Sequence, residues 1–262
     1  MPPEYARHID MNTEKPNSRL DNVRAIKHKD EVDRCPNRSR CVALCGGEDN
    51  FCTVRDLTKI ESVYHPDEAI YTQDDPVTAL YIVQSGAVKT EMATSNDFSH
   101  ISGFYFTADM LGLESLGQER YGFSSIALQD TVVCKLSIKK LTKKGKTGQA
   151  FQQRINELVA RKLRDIDSHL YRTRQLYTDQ RLLHFLQMVC SKISGSNDHG
   201  MNTFELPMAK TDIANYLGMS PESLSRAFRS LERKESLNNL NKRRLFQINT
   251  DKATSEVLDV SA

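Results

Sequence analysis

Residues 210–229 read K-T-D-I-A-N-Y-L-G-M-S-P-E-S-L-S-R-A-F-R, and this stretch decides the fold of the C-terminal part of the chain. At helical spacing Ile213, Ala214 and Leu217 share one face of a first helix. Gly218 follows, a residue that enters left-handed backbone without steric penalty. Ser220 and Pro221 then supply an N-cap and a first helical residue for a second helix. At about 100° per residue, Leu224, Ala227, Phe228 and Leu231 gather on one side of it, and Glu222, Ser225, Arg226, Arg229 and Arg233 on the other. Two short helices joined by a glycine turn, the second apolar inward and polar outward, predict a helix-turn-helix with double-stranded DNA as partner. The outward groups suit base edges. Arg226 can donate two hydrogen bonds to guanine O6 and N7, Glu222 can accept from cytosine N4, and Ser225 can serve several bases. Ser223 and Arg229 complete the candidate DNA-contacting set. An ordinary amphipathic hairpin would explain the two faces, but not the glycine, cap and proline at their fixed offsets.

Just downstream, N-N-L-N followed by K-R-R-L-F-Q-I predicts a short hairpin, a wing that would carry Lys242, Arg243 and Arg244 toward phosphates. The net charge of the 262 residues is only +2, so any basic surface must be local. It is: between Arg226 and Arg244 seven basic side chains stand against two acidic ones. A second lysine run, Lys139 to Lys146, reads as a solvated loop.

Upstream, Ser194 to Gly200 is a loop by composition, and from Gln149 to Ile193 there is neither glycine nor proline. Phe151, Ile155, Leu158, Val159, Leu163, Ile166 and Leu170 recur at intervals of three and four. They predict a helix to about residue 177, roughly 40 Å long at 1.5 Å per residue. A stripe that outruns its own core implies a second copy, so Ile155, Leu158, Val159, Leu163, Ile166 and Leu170 are the expected dimer interface. A further helix starts at Thr178 or Asp179, with Leu182, Leu183, Phe185, Leu186, Val189 and Ile193 inward. Between Thr53 and Leu141, short β-rich runs such as A-L-Y-I-V are punctuated by glycines, as in a β-sandwich or barrel. The first 34 residues are polar and read as an arm.

No apolar run approaches the roughly 20 residues of a membrane span, and the N-terminus lacks a secretory core, so a cytoplasmic protein without a membrane partner is expected. Six cysteines in that compartment point to metal or redox chemistry rather than structural disulfides. The seven histidines are scattered without triad or metal spacing, so an enzyme is not expected.

Barrel, long helix and winged helix in this order resemble the Crp/Fnr family of bacterial transcription regulators. Three motifs carry the resemblance: L-Y-I-V-Q-S-G-A-V-K at Leu80 to Lys89, A-D-M-L-G at Ala108 to Gly112, and D-I-A-N-Y-L-G-M-S-P-E-S-L-S-R at Asp212 to Arg226. The implied fold class is α+β, with a cyclic-nucleotide-binding-like jelly-roll barrel, a long dimerisation helix and a C-terminal winged helix-turn-helix. The corresponding organisation is an arm and cysteine-rich segment at 1–52, a sensor barrel at 53–148, a dimerisation helix at 149–177, a DNA-binding domain at 178–250 and a tail at 251–262. Glu222 with Ser225 and Arg226 resembles the recognition triplet of the Fnr branch, whose members read TTGAT half-sites in an inverted repeat. A homodimer on DNA, with RNA polymerase as a further partner, is implied. Cyclic AMP is not expected. Phe123 stands where the family's phosphate-binding arginine would precede Ser124, and Arg120 lies on what reads as a loop.

The Fnr branch senses oxygen through a [4Fe-4S] cluster on three N-terminal cysteines and one barrel cysteine, and thiolates suit iron. Cys134, in T-V-V-C-K-L, resembles the barrel ligand. For the N-terminal set the resemblance offers Cys35, Cys41 and Cys45, or Cys41, Cys45 and Cys52 with Cys52 in place of Cys35. Zinc, redox-active thiols, haem or a small effector are the other sensor classes open to this fold. Cys190 reads as a core residue. One position departs from the branch: where such seams can carry a repelling acidic residue, this chain has Ile166 between Asp165 and Asp167. Its burial would favour the dimer by about 1–2 kcal/mol.

Overall fold

The computed structural model describes residues 58–94, 99–141, 146–194, 201–240 and 244–249. Cys35, Cys41, Cys45 and Cys52, the arm, Lys242 and Arg243 of the wing and the tail 251–262 lie outside the described residues.

Eight strands form the sensor barrel: β1 Thr58–Tyr64, β2 Ala69–Tyr71, β3 Ala79–Ser85, β4 Ala87–Ala93, β5 Ser99–Phe106, β6 Met110–Leu111, β7 Ser124–Ala127 and β8 Thr131–Ser137. They pair antiparallel in two four-stranded sheets, ordered β1-β8-β3-β6 and β2-β7-β4-β5, which is a jelly roll. The interior is filled by Ile70, Val83, Val88, Leu111, Val133 and a tyrosine stack. Tyr71 lies on Tyr121 with ring centroids 4.0 Å apart, and Tyr121 donates its hydroxyl to the Ala79 carbonyl at 2.5 Å.

The run A-L-Y-I-V forms a strand, and its lack of alternation has a physical cause. Ala79, Tyr81 and Val83 face the interior, while Leu80 and Ile82 face outward and are also buried. A strand covered on both faces is apolar throughout. The turn after it needs glycine: Gly86 has φ 98°, and a Cβ there would stand 2.4 Å from Thr131 Oγ1 and 2.7 Å from Thr131 Cα.

The cover on the outer face comes from helix. After α1 Ile138–Leu141 comes α2 Lys146–Gln175, 30 residues long, then α3 Thr178–Ser194. The winged-helix unit continues with β9 Met201–Glu205, α4 Lys210–Leu217, α5 Pro221–Arg233, β10 Leu237–Asn239 and β11 Leu245–Asn249. The wing sheet has three strands, β10-β11-β9. The hairpin β10–β11 was expected; β9 was not, because only Phe204 of its five residues is buried and no alternation marks it. Its pairing with β11, Phe204 opposite Phe246, holds it. The core of this unit comprises Leu182, Leu183, Leu186, Leu206, Met208, Ile213, Leu224, Leu231 and Phe246 among others. Ile193, expected inward, is exposed in the last turn of α3.

Barrel and winged-helix unit share a junction. Ala87 and Phe106 belong to the same buried cluster as the winged-helix core. Tyr216 of α4 packs against Phe104 of β5, Phe185 of α3 and His169 of α2, with ring centroids 5.3, 5.6 and 4.9 Å away.

Candidate nucleic-acid interface

The geometry of the reading helix starts at the turn before it. Gly218 adopts φ 60° and ψ 44°, the left-handed conformation that ends α4, and Met219 N–H closes the turn onto the Ala214 carbonyl at 2.8 Å. Ser220 is the N-cap of α5; its hydroxyl accepts from Ser223 N–H at 3.2 Å, and Pro221 occupies the first turn. Inward, Leu224, Ala227, Phe228 and Leu231 are buried. Outward, Glu222, Ser225, Arg226, Arg229 and Arg233 are exposed together on one face.

Two of those side chains are tuned by their neighbours. The backbone N–H at the helix start, Ser220 and Arg226 hold the Glu222 carboxyl below its usual range. Arg226 donates to the Ser223 hydroxyl at 3.2 Å, and the Ser220 hydroxyl donates to the same oxygen at 3.1 Å. Ser223, expected among the DNA contacts, is half-buried and occupied with these two partners.

The helix pair is braced from behind. Asp179 at the start of α3 accepts from Ser230 at 3.0 Å and Lys234 at 2.9 Å. Arg181 donates to the Leu217 carbonyl at the end of α4. Lys210, at the start of α4, lies over the Phe228 ring, 4.6 Å from its centroid. Of the wing cations, Arg244 is exposed and donates to the Pro207 carbonyl at 3.3 Å.

The long helix α2 has two working faces. Ile155 is only 4% exposed and packs with Leu80, Ile82, Met110 and Leu136 on the outer face of the barrel sheet, with half-buried Leu158 beside it. These two, expected at a dimer interface, are therefore occupied within the chain. The stripe is used in two parts. The other part, centred about 80° round the axis and displaced toward the C-terminal end of the helix, carries Val159, Leu163, Ile166 and Leu170, all exposed, with Leu163 at 57%. Their spacing of four, three and four is that of a coiled-coil seam.

Cys134 lies on β8 opposite Ile82 of β3, on the outer face of the sheet, half-buried against the cluster that holds Ile155 and Leu158. Cys190 is buried in α3, as expected. Arg120 lies at the barrel rim, bridged to Pro76, and donates to the Asp74 carbonyl at 2.6 Å. Sequence reasoning missed the residues that join barrel to α4, Lys89, Asp212 and Asn215. They are single polar residues within otherwise regular elements, and only the three-dimensional pairing singles them out.

Residues 180–252 match the Crp-like helix-turn-helix domain and residues 61–146 the cyclic nucleotide-binding domain. The chain is 25% identical over 194 residues to the transcriptional activator protein FnrA of Stutzerimonas stutzeri, covering 74% of this chain and 79% of that protein. It is 29% identical over 169 residues to the nitrogen fixation regulation protein FixK of Bradyrhizobium diazoefficiens, covering 63% and 69%. The solved structure of FixK2 from Bradyrhizobium japonicum superposes with a TM-score of 0.64 at 27% identity, covering 74% of this chain and 95% of that one. With a jelly-roll barrel, a long connecting helix and a winged helix whose reading face is open, the chain belongs to the Crp/Fnr family of DNA-binding transcription regulators.

Proposed function

We propose that this regulator acts as a homodimer on inverted repeats of TTGAT half-sites, under the control of oxygen or redox state sensed through a [4Fe-4S] cluster. The observation that carries the reading is the position of Cys134. It sits on the outer face of the barrel, packed in the same cluster as Ile155 and Leu158, the part of α2 that precedes the exposed Val159, Leu163, Ile166 and Leu170. A thiolate donor at that place fits an iron–sulfur group, and its partners would be Cys35, Cys41 and Cys45, with Cys52 as the alternative to Cys35. If bound, such a group would supply oxygen-labile iron–thiolate chemistry held by these cysteines. What the chain's own residues do is separate from that chemistry. Ile155 and Leu158 seat α2 on the sheet that bears Cys134, and the seating fixes the height and rotation of the seam presented to a second copy. Two chains joined along that seam place two α5 helices for successive major grooves. Glu222, Ser225 and Arg226 then read bases, Arg229 and Ser223 border the backbone, and RNA polymerase is the further partner of the promoter-bound dimer.

Cyclic AMP is not part of this proposal. Arg120, the arginine that precedes the family's phosphate position in sequence, is engaged with the Asp74 carbonyl, and tyrosines pack in the interior. The test is absorption of anaerobically purified protein with sedimentation before and after air. A broad band near 400 nm that bleaches in air, with loss of the dimer, is expected. A sharp Soret band, or no visible absorption from a protein that remains dimeric, would assign the sensor to haem, zinc, thiols or an organic effector instead.

A further inference from the structure

The long helix that packs on the barrel passes to the reading unit through two residues, Leu176 and Tyr177, between α2 and α3. A two-residue link by itself lets the reading unit swing. For a body the length of α3, about 25 Å, a swing of about 8° moves its far end by one base-pair rise, ~3.4 Å. Discrimination of half-site spacing therefore needs a second attachment.

The structure contains one. β5 is the edge strand of its sheet, so one side of it has backbone groups without a neighbouring strand. The Asn215 side chain takes that place: its Oδ1 accepts from Ile101 N–H at 2.8 Å and its Nδ2 donates to the Ser99 carbonyl at 2.7 Å. Both bonds come from one planar amide and reach residues two apart on the strand, so they fix orientation as well as distance. Two charged ties flank them. Lys89 of β4 reaches Asp212 at 3.3 Å and Glu91 at 3.2 Å, all three side chains largely buried. Lys192 of α3 reaches Asp109 at 2.6 Å, and Asp109 also accepts from Phe106 N–H at 3.0 Å. Tyr216, next to Asn215, supplies the apolar centre of the same contact. The attachment uses α4 and leaves the outward face of α5 exposed, so a docked unit can still read DNA.

We infer that Asn215 is a positioning residue for two-site DNA recognition: by clamping α4 to the edge of β5 it holds each reading helix at a fixed place relative to the α2 seam, and so sets the half-site spacing the dimer accepts. This rests on the dimeric reading of inverted repeats above. It assigns spacing specificity to a side chain that does not touch DNA.

The test compares the full chain, anaerobically purified, with its Asn215→Ala variant on three duplexes: the inverted repeat, the same repeat with two base pairs inserted between half-sites, and a single half-site. Asn215→Ala is expected to weaken binding to the repeat by about tenfold, the scale of one to two lost hydrogen bonds, to leave the half-site within about twofold, and to shrink the preference for native over lengthened spacing. Lys89→Met, made on the barrel side and away from the helix-turn-helix, is expected to change the spacing profile in the same direction, and it decides the matter alone if Asn215→Ala does not fold. If both variants keep the wild-type spacing preference, or lose half-site binding as much as repeat binding, or bind the repeat more tightly, the inference is overturned. If the wild-type chain itself fails to prefer the repeat over a scrambled duplex, the dimeric reading falls, and the inference with it.

Discussion

A base-reading arginine is most effective when its guanidinium is held in place before DNA arrives, since less side-chain entropy is then lost on binding. Arg226 is held in this way on the Ser223 hydroxyl, which is itself fixed by the N-cap Ser220. Arg226→Ala is expected to cost about 1–3 kcal/mol of discrimination at a guanine, with little change in non-specific binding, measured by competition with a substituted duplex. Arg226→Lys does not restore it, because an ammonium cannot make the bidentate contact. On the buried side, Phe228→Ala removes a ring packed against Phe246 and under Lys210, and should destabilise the winged-helix unit by about 3–5 kcal/mol, read from denaturant unfolding. At this scale the sequence was informative wherever a rule is local. The Gly218 turn, the Ser220 cap and the inward side of α5 follow from offsets of one to four residues. Asn215 was not legible, since its partners Ser99 and Ile101 lie over a hundred positions away and an asparagine in a helix has no characteristic meaning.

At the scale of elements, α2 is one helix serving two surfaces. Its apolar stripe was visible in the sequence, but the division of that stripe was not: periodicity gives a face a width, and only the position of the barrel shows that Ile155 and Leu158 are covered within the chain while Leu163 and Ile166, further along the helix, are left exposed. An aspartate at Ile166 is expected to lower the dimer fraction in sedimentation, through lost apolar burial and repulsion between symmetry mates. Ile155→Asp instead should unfold the chain, because it places a charge in the barrel–helix core. The junction of α2 and α3 carries a pH dependence as well. Burial, and then Arg172 and His169, push the His184 imidazole down to about 4 from its ordinary 6.5. The unfolded chain takes up a proton near pH 6.5 that the folded chain refuses, so stability falls as pH drops from about 6.5 toward 4. Thermal unfolding at pH 7 and pH 5 should show this loss, and His184→Gln should reduce it.

At the scale of the whole molecule, barrel, long helix and winged helix operate as linked parts. Cys134 lies beside the inner face of α2, the seam occupies the neighbouring face, and the Asn215 clamp returns from the reading unit to the barrel. The order of these parts was readable because each has its own hydrophobic period, short and glycine-punctuated for the barrel, three and four for the helices. Their mutual contacts were not, because they join side chains, apolar and polar, that lie far apart in the sequence. The most direct test of the account is fluorescence anisotropy of anaerobically purified protein on a TTGAT inverted repeat, on the same duplex with one half-site scrambled, and on both after exposure to air. Binding to the intact repeat is expected to be at least about tenfold tighter than to the half-scrambled duplex, in line with the loss of several base contacts, and that difference is expected to disappear in air. Equal affinity for the two duplexes under anaerobic conditions would contradict it.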